Sequence, residues 1–272
     1  MQLTDAEIRQ ILIQEKRRKL RRRRKRRRIS ILVVILLIVA LILIIKFHPD
    51  SSNAAEESQA ETPPRGIIFI DPGHGGEDPG SDNGARYEKD DTLRLANEVR
   101  SYLEDAGFKV YMSRTTDDNI DRTRRGEMAN ECGAQLMLCI HRNKASGGGD
   151  GVEAFIPLSD TAESRLLAEN ILQALVGEGF TERSVRAGTL QSTEENYNEL
   201  EAATMPACLV EVGFISNEKD NKLFDENLDG NARAVAGAIE STFHTLYEPE
   251  ETTEDTETGG AEEDGGEAVT DN

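Results

Sequence analysis

The chain of 272 residues contains no tryptophan, three cysteines, four histidines and only 5% aromatic residues. Without tryptophan, and with few other rings, it offers no evident platform on which sugars could stack. Cys132, Cys139 and Cys208 are odd in number and fall into no short paired spacing. That excludes a disulfide framework and a thiolate metal site, and the three read as small buried hydrophobes. His48 falls in a polar stretch and His244 in the last helical pattern, so a histidine-based site must use His74 and His141.

Basic residues are scarce after position 50. Residues 1–50 hold 14 Lys and Arg against 4 Asp and Glu, and the remainder hold 18 against 47, so the net charge of −19 conceals two environments. The acidic remainder would repel a polyanion, which excludes nucleic acid as a partner.

What is present begins with a run of aliphatic residues, ISILVVILLIVALILII, at 29–45, free of charge, Gly and Pro. Each of its aliphatic side chains favours bilayer insertion by ~0.3–0.6 kcal/mol, and within the run only the polar Ser30 opposes that sum. The block KRRKLRRRRKRRR precedes it and Lys46 alone closely follows it. The positive-inside rule then predicts a single-pass anchor over 29–46, a cytoplasmic segment over 1–28 and everything later outside the cell membrane. A cleaved signal peptide is the competing reading, disfavoured by the length of the basic block. Residues 47–65 are polar with a Pro-Pro pair and read as a linker. Residues 248–272 carry eleven acidic and no basic side chains and read as a disordered acidic tail.

Between linker and tail, 66–247 reads as one α/β domain. Short apolar runs at 66–71, 108–112, 136–141, 151–156 and 207–212 predict strands. Helical spacing marks 91–106, 120–132, 161–176 and 230–247, with Gly107 stopping the first. Such alternation implies a sheet layered by helices, with the ligand site beyond the strand ends. The stretch 177–204, with Glu182, Glu194, Glu195, Glu199 and Glu201, reads as a loop near the cleft and a candidate inhibitory segment.

Four ionisable residues stand where such a site would lie. His74 follows the first strand in DPGHGGEDPG, His141 ends LMLCIH, Glu211 interrupts the apolar ACLVEVGF, and Glu88 opens YEKDDTLRLA. A carboxylate inside an apolar strand is costly unless paired or facing a cavity, although strand alternation would also let Glu211 face solvent. The glycines around His74 match neither a P-loop nor a dinucleotide fingerprint, which favours a metal ligand there. Two His and one Glu with water in the fourth position form a recurrent catalytic zinc shell. A further carboxylate can then carry the proton.

The segments IFIDPGHGGEDPG, EKDDTLRLA, VYMSRTTD, RRGEMAN, CIHRN and LVEVGFISN resemble, in order, those of the zinc-dependent N-acetylmuramoyl-L-alanine amidases, amidase type 3. The resemblance implies a mixed β-sheet flanked by helices. It implies Zn2+ held by His74, Glu88 and His141, with Glu211 as the catalytic carboxylate. The implied reaction is hydrolysis of the amide between N-acetylmuramic acid and L-alanine in peptidoglycan. Arg114 and Asn217 match recurrent positions read as structural. This chain departs from the family at Cys139, where Ser is usual and a good hydrogen-bonding group beside the metal is lost. It departs also at Arg142 and Lys144, which add positive charge near the cleft, and at Gln135, where an acidic residue is usual. No separate wall-binding repeat is present, so selection of substrate falls to the catalytic domain or to an activating protein partner. The alternatives are a membrane-anchored scaffold that binds wall, or a zinc peptidase or deacetylase of the wall.

Overall fold

The computed structural model describes residues 63–159 and 161–248. The anchor expected at 29–46, its basic flank, most of the linker and the tail beyond 248 lie outside the described residues. Among the described residues no helix is long and apolar enough to cross a membrane.

Among the described residues there are six strands and six helices, mostly in alternation. The strands are β1 (Ile67–Pro72), β2 (Lys109–Met112), β3 (Leu136–Asn143), β4 (Val152–Ile156), β5 (Glu182–Ala187) and β6 (Ala207–Phe214). The helices are α1 (Glu88–Asp105), α2 (Arg122–Glu131), α3 (Ala162–Gly177), α4 (Asn198–Ala202), α5 (Glu218–Glu226) and α6 (Leu228–Tyr247). The strands form one sheet in the order β2-β1-β3-β6-β4-β5. Neighbours run parallel except β4 and β6, which are antiparallel. The sheet is therefore mixed.

Successive strand side chains point to opposite faces, and the sequence uses both. Ile68, Ile70, Leu138, Ile140, Val152, Ala154, Cys208 and Val210 face α1, α3 and α6, whose Leu95, Val99, Leu167, Ile171, Val235 and Ile239 complete the larger core. The intervening residues Phe69, Met137, Cys139, Phe155 and Leu209 face α2 and α4 and form a smaller core with Ala129 and Leu200. The same parity continues along the strands to His141, Glu153 and Glu211, which therefore stand on the smaller-core face where that layer ends. Cys139 and Cys208 are buried as expected, whereas Cys132 is half-buried at the end of α2.

Three elements differ from expectation. The stretch 177–204 is not one loop: it contains β5 and α4. β5 reads ERSVRA, an edge strand paired only to β4, so it lacks the apolar run that marks the interior strands. α5 was not anticipated either; its start is set by Asn217, whose side chain accepts from the backbone N–H of Lys219 and Asp220.

Two buried guanidinium groups fix the chain as it leaves β1. Arg114 donates to the carbonyls of Pro72, Gly73 and Lys89 at 2.8–2.9 Å. Arg125 donates to the carbonyls of Pro72 and His74 and to Asp71 Oδ1, the last at 2.7 Å. Their five donors each fit a fork of acceptors that an irregular turn would otherwise leave without partners. Replacing Asp71 by Ala strands a buried Arg125, and the expected loss is roughly 3–5 kcal/mol of unfolding free energy in urea titration.

Candidate metal centre

Beyond the end of β1 the backbone turns so tightly that His74 sits at φ 61°, the left-handed region, followed by Gly75 at φ 131°. His74 is the one non-glycine residue with positive φ among the described residues. That conformation is uncommon for a side chain with a Cβ and marks a constrained position. Gly75 and Asp78 exchange backbone hydrogen bonds across the turn, which returns the chain so that Asp78 lies beside His74.

The turn aims His74 at the first residue of α1. Glu88 is 2% exposed, and its two oxygens are surrounded. His74 Nε2 lies 3.1 Å and His141 Nδ1 2.9 Å from Oε1, which also accepts from the Arg142 backbone N–H at 2.9 Å. Oε2 accepts from the Ser81 N–H at 2.7 Å. One donor atom from each of His74, Glu88 and His141 falls within 4.8 Å of the others. His74 Nδ1 lies 2.9 Å from Asp78 Oδ2; a proton held there by the carboxylate would free the Nε2 lone pair for a metal ion. Ligands of a tetrahedral zinc ion stand roughly 3.3 Å apart at usual bond lengths, so this donor set fits such an ion.

Glu211 comes to the centre by register. It is the cross-strand partner of His141 on β3 and of Glu153 on β4, so the three occupy one row across the sheet. Glu211 is 8% exposed and its Oε2 has no hydrogen-bond partner among the described residues. Burial, with repulsion from Glu88 and Glu153, pushes its carboxyl well above the ordinary range. Glu88 moves the other way. Burial alone would raise it, but hydrogen bonds and charge from His141 and His74 prevail and hold it well below the usual carboxylate value. Two neighbouring carboxyls with opposed proton affinities are the usual signature of divided acid–base work. A cleft of about 570 Å³ opens over them, bounded by Asp82, Arg122, Lys144, Leu190, Tyr197 and Glu199.

The structure thus brings His74, Glu88, His141 and Glu211 together. Two residues near His141 in sequence lie deeper than the cleft surface. Arg142 follows His141 and so points to the opposite face. Its guanidinium is buried, donating to Asp91 Oδ2 at 2.6 Å and to Asn221 Oδ1 at 2.8 Å, with its carbon 4.3 Å from the Phe224 ring centroid; from that place behind the cleft its positive charge still favours the ionised form of Glu211. Cys139 lies two residues deeper than His141, inside the smaller core, and holds no ligand. Lys144 does reach the cleft, 3.4 Å from Asp82. Sequence reasoning missed Asp78, although its spacing of four from His74 was visible, and Glu153, a carboxylate in an apolar strand like Glu211. Within 177–204 it did not single out Glu199, the buried one among six glutamates.

Two outcomes follow. A Cβ at Gly80, itself at φ 66°, would come within 2.6 Å of His74 Cδ2 and 2.7 Å of Glu88 Oε2. Gly80→Ala should therefore weaken metal binding by about tenfold or more in chelator competition, while circular dichroism stays that of the parent. The raised Glu211 carboxyl stabilises the metal-free fold below its unfolded pKa of ~4.3, and that contribution is lost as pH rises toward its folded value. Glu211→Gln cannot ionise. The metal-free variant should melt above the parent at pH 7–8, with the gap closing as pH approaches 4.

A model of the N-acetylmuramoyl-L-alanine amidase family matches residues 68–241. The sporulation-specific N-acetylmuramoyl-L-alanine amidase of Bacillus subtilis (strain 168) is 36% identical over 186 residues, 65% of this chain and 68% of that one. An N-acetylmuramoyl-L-alanine amidase from Clostridium difficile 630 shares the fold with a TM-score of 0.61 at 28% identity, over 66% of this chain and 97% of that one. The CwlD amidase from Clostridioides difficile, solved in complex with the GerS lipoprotein, gives 0.57 at 26% identity over 66% and 99%. With the family model spanning most of the folded residues and the same elements in place, the chain belongs to the N-acetylmuramoyl-L-alanine amidases, the enzymes that cut stem peptides from peptidoglycan.

Proposed function

We propose that this amidase works with zinc held by His74 Nε2, Glu88 Oε1 and His141 Nδ1, and with Glu211 as the group that carries the proton. The convergence of three donor atoms beside a buried, proton-retaining carboxyl supports the reading. When bound, zinc supplies a water acidic enough to attack at neutral pH and polarises the scissile carbonyl.

The chain's own residues divide the remaining work. Glu88 stays ionised and contributes the negative charge that a dication needs, while both its oxygens remain tied to backbone N–H groups. Asp78 keeps His74 in the tautomer that presents Nε2. Glu211 starts as a neutral acid while the triad is empty. The added charge of a dication favours its ionised form, in which it can accept the proton of the attacking water. It then returns that proton to the nitrogen of the departing L-alanine, which leaves as a neutral amine. Glu153 faces Glu211 across the ladder and is flanked at 3.6–3.7 Å by Arg186 and Arg183 from β5. These pairs temper the repulsion that a second carboxylate would exert.

We further place this domain outside the cell membrane on the anchor over 29–46, on the charge pattern of the sequence alone. A linker of 47–65 would confine it to wall within ~25 Å of the bilayer.

Full-length chain incubated with purified peptidoglycan should hold close to one zinc per chain and release stem peptides bearing a free L-alanine amine. Glu211→Gln should keep its zinc and lose about 10²–10⁴-fold in turnover. Cleavage at any other bond would replace the amidase with a peptidase or deacetylase. Wall binding without cleavage by either protein would favour the scaffold.

A further inference from the structure

His141 presents Nδ1 to Glu88, so its other ring nitrogen points away from the triad. What it meets there is Glu199, whose Oε1 lies 3.9 Å from His141 Nε2. Glu199 belongs to α4, in the stretch that the sequence suggested as a loop. It is 3% exposed, and its Oε2 is buried with no hydrogen-bond partner among the described residues. Burying a carboxylate with one oxygen unpaired is costly, so the position calls for a function that uses the charge.

The placement is enforced from outside. α4 packs against α2 at Gly126, where a Cβ would stand 2.4 Å from the Glu199 carbonyl oxygen. Leu200, the next residue, is sunk in the smaller core. Glu199 is thus held between the metal-facing cleft and the adjoining cavity of about 250 Å³ bounded by Asn119, Arg122 and Arg125, and it borders both. It is not one of the three residues whose donor atoms cluster.

We propose that Glu199 is a positioning residue for His141: its carboxylate draws the Nε2–H, and so reserves the Nδ1 lone pair for the metal. The two histidines then carry mirror-image restraints. His74 is held through Nδ1 by a 2.9 Å hydrogen bond to Asp78 and offers Nε2; His141 faces Glu199 through Nε2 at 3.9 Å, an ion-pair rather than a hydrogen-bond separation, and offers Nδ1. Carboxylates behind ligating imidazoles fix ring orientation and raise ligand basicity, and their removal costs about 10–100-fold in metal affinity. The inference rests on the triad holding a metal ion, and the experiment separates the two.

The test is zinc affinity of the full-length chain by chelator competition, for the parent, Glu199→Gln and Glu201→Gln. Glu201 is the exposed neighbour on the same helix. The expected result is a ~10–100-fold weaker affinity for Glu199→Gln and no change for Glu201→Gln. Parent affinity in Glu199→Gln would overturn the role of Glu199 alone. A parent that binds no zinc would overturn the triad reading together with it. Nitrogen NMR of the zinc-loaded parent, labelled in histidine, gives an answer that does not depend on any variant folding. His141 should be metallated at Nδ1 with a slowly exchanging Nε2–H, and metallation at Nε2 would refute the proposal.

Discussion

Everything at this centre turns on the Glu88 carboxylate. It opens α1, so the helix that packs against the larger core also delivers this carboxylate to the smaller-core face. Its Oε1 is shared by two imidazole nitrogens and a backbone N–H from β3, and its Oε2 by a backbone N–H from the loop after β1. One side chain therefore ties together the three segments that carry His74, His141 and itself. A negative end group at the start of a helix is also favoured by the helix dipole. Burial would otherwise neutralise such a group; the two histidines prevent it.

The second constraint is backbone geometry rather than charge. An irregular turn with a histidine in the left-handed region would be costly if left to itself. It is kept in place because Arg114 and Arg125 take up its carbonyls from beneath, and because Arg125 is neutralised by Asp71 within the same turn. Strain at the ligand is thus offset by hydrogen bonds several ångströms away. The same logic holds on the far side of the sheet, where Asp220 accepts from the backbone N–H groups of Gly151 and Phe214, both at 2.8 Å, and closes the loops after β3 and β6.

Much of this was legible in the sequence because the residues lie in regular surroundings. The interior strands are apolar runs bounded by glycine, and the long helices show their buried stripe. His74, Glu88, His141 and Glu211 stand out since each is a polar residue at an element boundary or inside an apolar run. β5, α4 and α5 were illegible for the opposite reason: an edge strand with two arginines and two short polar helices carry little periodicity of their own and form through packing against neighbours. The places of Arg142 and Cys139 were not legible because sequence adjacency to His141 says nothing of face. Arg142, one residue on, points into the other layer; Cys139, two residues back, shares the face but lies too deep. Glu199 stood among five other glutamates, and only its burial, enforced by the close approach of α4 to Gly126, sets it apart.

The order of the strands carries a consequence for how the molecule comes into being. β6 is the last strand to leave the ribosome, yet it is inserted between β3 and β4, in the interior of the sheet. Until residue 214 exists, β3 lacks a neighbour on one side, β4 has no link to the rest of the sheet, and Glu211 is missing. Pairing between segments so distant in the chain forms slowly, since loop closure must precede the contacts that reward it. A nascent chain therefore carries His74, Glu88 and His141 without a finished platform and without Glu211 beside them. The cleft is completed in one step, when β6 enters the sheet, so copies of this wall-degrading enzyme that stop short of residue 214 lack one wall of it.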